Sequence, residues 1–224
     1  MSKITHVCFD IGGVANVQMP REEVISHGKE YFGAAFNEEK LKQMMFPTVS
    51  NTDIWREYNN GAIATQRYLE FGLSAGGVPT TERNRKLFRS LLEEACGEAY
   101  QPILNLVGQL KANGYHTSVL SNNNEIMYNT PSGEAIKKCV DVAISSHEIM
   151  VSKPHWQAFA ILLGKIKIKA EERQQVLFID NKTENTEAAQ SCGLQAFHFR
   201  SKEVGMDLAF VEPMQYLHVT GIRI

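Results

Sequence analysis

The chain has 224 residues, of which 43% are hydrophobic and 21% are charged, and its formal net charge is -2 at neutral pH. This composition is ordinary for a soluble globular protein, and the length predicts a core domain with a modest insertion. A slightly negative chain is not attracted to polyanions, so we expect no nucleic-acid partner and no membrane partner.

Features of the sequence also predict a cytoplasmic protein. No apolar stretch approaches the roughly 20 residues of a membrane span, and the N-terminus lacks the architecture of a signal peptide. The cysteines are scattered, without a C-x-x-C pair, at Cys8, Cys96, Cys139 and Cys192. We interpret them as small buried hydrophobic residues of a reducing compartment.

The first half of the chain predicts one strand followed by helices. The apolar run at residues 4–9 is short and is followed by Asp10 and a Gly-Gly pair, which predicts a buried parallel strand. Residues 19–94 are rich in charged and amide side chains, with aromatics at helical spacing. This stretch predicts several helices, separated at 59–61 and 74–77, and we expect no strand in it.

From about residue 100 the pattern alternates between helix and strand. Pro102 suits the first turn of a helix, and Asn113-Gly114 ends it. Further helices are predicted at 156–163 and 186–191, and strands at 116–120, 140–144, 176–179 and 196–199. Alternation of this kind predicts an α/β protein whose parallel sheet carries helices on both faces.

The predicted strands tend to stop at polar residues, namely Asp10, Ser121, Ser145 and Asp180. Ligands of parallel α/β sheets bind beyond the carboxyl ends of the strands, so we expect a single crevice to collect all four. A carboxylate such as Asp10 can attack phosphorus and split one difficult displacement into two easier steps. Gly12 and Gly13 would let the backbone turn sharply and approach a bound anion.

Four segments, taken in chain order, resemble the motifs of the haloacid-dehalogenase superfamily, in its phosphatase branch. They are Phe9-Asp10-Ile11-Gly12-Gly13-Val14, Val119-Leu120-Ser121-Asn122-Asn123, Val151-Ser152-Lys153-Pro154 and Val176-Leu177-Phe178-Ile179-Asp180-Asn181-Lys182-Thr183-Glu184-Asn185. The resemblance covers about residues 3–17 and 99–200. It implies a Rossmann-like core of three α/β/α layers at 1–17 and 96–224, with a small all-helical cap domain at 18–95.

The resemblance also implies roles for individual residues. Asp10 becomes the nucleophile, while Ser121 and Lys153 bind and neutralise the transferring phosphoryl group, with Gly12, Gly13 and Asn122 beside them. The resemblance implies Mg²⁺ as cofactor, held by Asp10, the backbone carbonyl of Gly12, Asp180 and Asn181. Asn185 matches a position that orients Lys153 or a metal-bound water. The implied substrate is a small phosphorylated metabolite.

Two positions depart from the usual pattern of these phosphatases. Gly12 stands where a second aspartate usually serves as general acid and base, and Asn181 stands where a second acidic metal ligand is usual. We therefore weigh three hypotheses: a Mg²⁺-dependent phosphohydrolase, a catalytically weak or inactive binding protein of the same fold, and a metal-independent 2-haloacid dehalogenase. The acidic fourth motif and the Gly-Gly turn argue against the dehalogenase.

The helical insertion offers conceivable substrate contacts in Arg21, Trp55 and Arg56. The simpler interpretation places Trp55 in the core of the cap and Arg56 on a solvated helix face. His155 follows Lys153-Pro154, where Pro154 is predicted to open the next helix, and we expect His155 in its first turn.

Overall fold

The computed structural model describes residues 3–201, 205–219 and 222. Its strands are β1 (His6–Phe9), β2 (Asn16–Val17), β3 (Thr48–Val49), β4 (Thr52–Asp53), β5 (Glu98–Ala99), β6 (His116–Ser121), β7 (Val142–Ser145), β8 (Val176–Asp180) and β9 (Gln195–His198). Five of them form one parallel sheet in the order β7-β6-β1-β8-β9. The first strand of the chain therefore lies in the middle of the sheet.

The helices of the first half are α1 (Arg21–Phe32), α2 (Glu38–Met45), α3 (Ile54–Asn59), α4 (Thr65–Ala75) and α5 (Glu82–Ala95). Those of the second half are α6 (Gln101–Ala112), α7 (Glu125–Tyr128), α8 (Pro131–Cys139), α9 (Ser146–Ile149), α10 (Trp156–Lys165), α11 (Thr183–Ser191) and α12 (Met206–Val219), with a 3₁₀ helix at Ala170–Gln175. None of the described helices is long and apolar enough to cross a membrane.

Hydrophobic side chains cover both faces of the parallel sheet. In β1, Val7 and Phe9 pack into the cluster on one face, and Cys8 packs into the cluster on the other. This alternation follows from the two-residue period of a strand. Burial on both faces explains why these strands read as continuous apolar runs in the sequence. The predicted Rossmann-like α/β core is confirmed.

Helices α1–α5 pack around a hydrophobic cluster of their own. Tyr58 and Tyr68 stack at its centre, with ring centroids 4.2 Å apart, and Phe88 lies against Tyr68. The chain leaves the core through β2 and returns through β5, and these two strands pair antiparallel. The separate cluster supports the division into a core at 1–17 and 96–224 and a cap at 18–95, which stays a prediction.

Several expectations from the sequence were wrong. Strands β3 and β4 form a hairpin within the stretch where no strand was expected, because two exposed residues per strand leave no apolar alternation to detect. Strand β7 begins at Val142, since Val140 ends α8. Pro154 does not open α10, which begins at Trp156 and has His155 as its N-cap. All four cysteines are free; Cys8 and Cys96 are buried, whereas Cys139 and Cys192 are partly exposed.

Candidate active site

The sheet register brings Asp10 and Asp180 together. Strands β1 and β8 pair in parallel with Phe9 opposite Ile179, so the next residue along each chain is an aspartate. Both carboxyl groups lie at the carboxyl end of the sheet and are buried, with Asp10 at 6% and Asp180 at 0% relative exposure. This adjacency follows from the register of the two strands, which cannot be read from the sequence alone.

Lys153 joins the two carboxylates. Its Nζ lies 2.8 Å from Asp10 Oδ1 and 2.7 Å from Asp180 Oδ2. Asn122 fixes the backbone of the lysine, because its Nδ2 donates to Lys153 O (2.7 Å) and its Oδ1 accepts from Lys153 N (2.8 Å). Asn122, Lys153 and Asp180 of the second, third and fourth motifs thus lie together with Asp10 of the first.

The charges of this cluster do not balance. Burial raises the pKa of Asp10, and the neighbouring Asp180 raises it too, while Lys153 opposes both effects. Burial alone would lower the pKa of Lys153, but the two carboxylates outweigh it and raise that pKa. One ammonium group therefore faces two carboxyl groups, and a further cation would stabilise the ionised form of both.

The residues around Asp180 fit a hard cation such as Mg²⁺. Asp180 Oδ1 accepts from the backbone N–H of Lys182 (2.9 Å), and Oδ2 accepts from Asn185 Nδ2 (3.0 Å) as well as from Lys153. Asn185 therefore orients Asp180 and makes no direct bond to Lys153. The Oδ1 atom of Asn181 is buried and accepts no hydrogen bond within the described part of the chain. The orphaned amide oxygen of Asn181, the residue after Asp180, and the two carboxylates are oxygen donors of the kind that Mg²⁺ prefers.

Gly13 packs against Asn181 and lies outside the crevice. A Cβ atom at Gly13 would come within 2.4 Å of Asn181 Nδ2, and its φ of +74° belongs to the left-handed region, so only glycine suits this position. The N–H of Gly13 donates to Asn16 Oδ1 (3.0 Å), and Asn16 Nδ2 donates to Cys96 O (2.7 Å). The backbone N–H of Gly13, which we expected to contact a bound anion, is thus already engaged in a hydrogen bond with Asn16.

Gly12 lines the crevice. The nearest atoms to a Cβ placed there are Gln18 Nε2 at 3.7 Å and Asp10 Oδ2 at 3.9 Å, which are ordinary contact distances. A side chain at position 12 would therefore begin without a clash, beside Asp10 and at the wall of the crevice. Gln18 is the side chain that borders this space from the other side.

The carboxyl end of the sheet opens into a crevice of about 380 Å³. Its lining comprises Asp10, Gly12, Gln18, Trp55, Arg56, Asn59, Asn122, Ser152, Lys153, Asn181, Lys182 and Asn185. Ser121, buried at the end of β6, and the fully buried Asp180 do not line the crevice, so the expectation that one crevice collects all four strand-end residues was wrong. Ser145 lies elsewhere; its hydroxyl bonds to Asn123 O and to His147 Nδ1.

The helical insertion supplies one wall of this crevice. Trp55 and Arg56, which we interpreted as cap core and solvated surface, both line it. Arg21 does not; it pairs with Glu38 at 2.5 Å on the surface of the insertion. Gln18 and Asn59 also line the crevice and were missed, because no motif marks them and only the position of the insertion brings them there.

A loop of the insertion is fastened to the core beside Lys153. Asn124 Nδ2 donates to Asn59 Oδ1 (3.0 Å), and Ser146 Oγ donates to Asn59 O (2.5 Å). Ser152, the neighbour of Lys153, donates its hydroxyl to Asn60 Oδ1. The end of α3 is thereby tied to the loop that carries the lysine.

Comparison with known proteins identifies the family. A sequence model described as haloacid dehalogenase-like hydrolase matches residues 4–193. The chain belongs to this hydrolase family. The resemblance predicted from the four motifs is therefore confirmed, and the match covers the helical insertion and four of the five strands of the parallel sheet.

Solved structures of this family share the fold. A HAD family enzyme from Bacteroides thetaiotaomicron superposes with a TM-score of 0.72 at 19% identity, covering 92% of this chain and 98% of the other. The same enzyme is also known in complex with magnesium and inorganic phosphate, with a TM-score of 0.70 at 20% identity. A crystal structure of a dehalogenase gives a TM-score of 0.61 at 16% identity, covering 91% of this chain and 88% of that one.

A curated relative, the mouse (Mus musculus) protein "Acyl-CoA dehydrogenase family member 10", is 26% identical over 194 residues. The match covers 84% of this chain but 17% of that protein, so the chain corresponds to a small part of its length.

Proposed function

We propose that this hydrolase is a Mg²⁺-dependent phosphohydrolase of small phosphorylated metabolites, such as sugar phosphates, and that it works through an aspartyl-phosphate on Asp10. The observation that carries the proposal is the buried cluster of Asp10, Lys153 and Asp180, in which Asp10 and Lys153 line the crevice and Asp180 lies buried behind them. The Bacteroides relative that binds magnesium and inorganic phosphate supports the same chemistry.

In the proposed reaction Asp10 attacks the phosphorus of the ester in line with the leaving oxygen. Lys153 holds Oδ1 of Asp10, and Oδ2 faces the space beside Gly12, so Oδ2 is the attacking atom. The phosphorus–oxygen bond to the alcohol breaks as the bond to Asp10 forms. Water then attacks phosphorus, releases inorganic phosphate and restores the carboxylate.

Positive charge stabilises the transferring group. Lys153 neutralises the equatorial oxygens as a compact cation. Asp10, Asp180, Asn181 and the carbonyl of Gly12 would hold Mg²⁺, which supplies further charge neutralisation when bound. Since Gly12 provides no acid, the departing alkoxide takes its proton from water, and esters of acidic alcohols are expected to react fastest.

The decisive experiment measures phosphate release from p-nitrophenyl phosphate and a panel of sugar phosphates, with Mg²⁺ and with EDTA. We expect turnover that requires Mg²⁺ in the wild type and none in Asp10→Asn. Glu171→Gln, which neutralises an exposed carboxylate outside the crevice, is the matched control and should keep full activity. Turnover in EDTA, or in Asp10→Asn, would refute the proposed mechanism.

The second candidate is a catalytically weak binding protein, favoured by the loss of a carboxylate at Gly12 and another at Asn181. Under this candidate no ester is hydrolysed by the wild type, ligands still raise its Tm, and Asn181→Asp gains metal-dependent turnover. A 2-haloacid dehalogenase is the third candidate, since dehalogenases share the fold. Release of chloride from 2-chloropropionate without metal would identify it.

A further inference from the structure

A second cavity, which we name the annex, adjoins the crevice. It has a volume of about 260 Å³ and shares two of its lining residues, Gln18 and Trp55, with the crevice. The rest of its lining is mainly apolar and comprises Met19, Val24, Leu41, Met45, Phe46, Ala95 and Met127, together with the exposed cations Arg21 and Lys42. The two cavities share Gln18 and Trp55; the crevice is polar and charged, and the annex is mainly apolar.

The annex lies between the insertion and the core. Helix α1 contributes Val24, α2 contributes Leu41 and Met45, and the core contributes Met127 at the end of α7. Phe46 follows α2 and is 51% exposed, although its ring packs edge-on against Trp55 at 5.2 Å. Phe46 therefore contributes an exposed apolar ring to the lining of the annex.

The mainly apolar lining of the annex favours an apolar ligand group over a sugar. The methionine, leucine, valine and phenylalanine side chains offer no hydrogen bonds, and of the two exposed cations in the lining Arg21 is already paired with Glu38. A sugar would therefore lose much of its hydration against this lining with little compensation. An apolar group would instead be removed from water against flexible methionine side chains that adapt to its shape. An apolar cavity of about 150 Å³ is enough for benzene, so the annex has room for an aromatic ring or a short alkyl chain.

We propose that the annex binds an apolar arm of the leaving group, so that the preferred substrates are alkyl or aryl phosphomonoesters rather than phosphates of fully hydroxylated sugars. This inference rests on the proposed function, because it places the phosphate at Asp10 and Lys153. The ester then passes between Gln18 and Trp55, and its hydrocarbon part enters the annex. Gln18 and Trp55 act as positioning residues at the junction.

The test uses n-alkyl phosphates from methyl to octyl, whose leaving groups differ little in acidity. In the wild type with Mg²⁺ we expect kcat/KM to rise about threefold to fourfold per methylene until the annex is full. Phe46→Ala should make kcat/KM nearly independent of chain length. Ala95→Leu adds bulk to the lining, so it should lower kcat/KM for the longest chains and leave kcat/KM for methyl phosphate unchanged. Val49→Ala removes an exposed hydrophobic group of the same insertion that lines neither cavity and should keep the wild-type slope.

The outcomes separate this inference from the proposed function. An active phosphatase with a flat or falling dependence on chain length overturns the annex proposal alone, as does a slope that survives in both Phe46→Ala and Ala95→Leu. Absence of phosphate release from every ester overturns the proposed function. Calorimetry with n-alkylphosphonates then decides the annex: tighter binding with each methylene, lost in Phe46→Ala, supports it, and affinity independent of chain length overturns it.

Discussion

Replacing Lys153 by methionine tests whether the buried cluster is held together by charge. The side chain of Lys153 is 1% exposed, and it makes contacts of 2.8 and 2.7 Å with two carboxylates that are themselves 9% and 0% exposed. Methionine keeps most of the volume and removes the charge, so Asp10 and Asp180 are left as uncompensated neighbours. Removal of one partner from a buried ion pair costs about 3–5 kcal/mol, and we expect a loss of free energy of unfolding in that range.

The assay is urea unfolding at neutral pH, first in EDTA and then with saturating Mg²⁺. The variant lacks the one positive charge of the cluster, so Mg²⁺ should stabilise it more than the wild type. A ligand at 100 times its Kd adds about 2.7 kcal/mol. Lys165→Met, at an exposed position in α10, should change stability by less than about 0.5 kcal/mol. A loss below about 1 kcal/mol for Lys153→Met in EDTA, or equal gains from Mg²⁺ in both proteins, would refute the reasoning.

Further predictions concern the loop after β1 and the sheet. Gly12→Asp should raise kcat/KM for alkyl esters by about 10²- to 10⁴-fold and change kcat/KM for p-nitrophenyl phosphate little. Position 12 has room for a side chain, and only poor leaving groups need an acid. Equal effects on kcat/KM for both kinds of ester would contradict this prediction. Gly13→Ala should lower the free energy of unfolding in urea by about 1–3 kcal/mol. It should also weaken Mg²⁺ binding measured by calorimetry, because its Cβ would displace Asn181. An unchanged Mg²⁺ affinity would contradict the assignment of Asn181 as a ligand. Burial lowers the pKa of His6 from 6.5 to about 4, so its contribution to stability is present above pH 6.5 and is lost as the pH falls toward 4, by up to about 3 kcal/mol. In His6→Gln, which can keep the bond to Ser118, unfolding free energy should depend less on pH between 6.5 and 4; an identical pH profile would exclude this role.

The sequence predicted the sheet and much of the candidate site because both depend on local pattern. Apolar runs ending at Asp10 and Asp180 marked two strands, and parallel pairing necessarily brings their carboxyl ends to one edge. Lys153 joined them as the resemblance implied. The functional roles of these residues stay predictions.

Other parts of the site depend on long-range packing, which leaves little trace in a local pattern. Gln18 and Asn59 line the crevice because the insertion folds back over the sheet. Ser145 is the last residue of the edge strand β7, and its hydroxyl bonds to Asn123 O and His147 Nδ1 and does not line the crevice. Strands β3 and β4 were missed because their pairing rests on a tight turn, in which Ser50 and Asn51 have positive φ, and not on apolar burial.

The bond between Ser152 and Asn60 fixes a distance within the crevice. Helix α3 spans six residues, with Trp55 and Arg56 in its first turn and the fastened loop at its end. A short helix tied at one end to the neighbour of Lys153 holds its other end at a set span from the lysine. If a ligand contacts both Lys153 and Arg56, we expect the fixed span to favour one length, because a shorter or longer ligand would have to distort the loop to touch both residues.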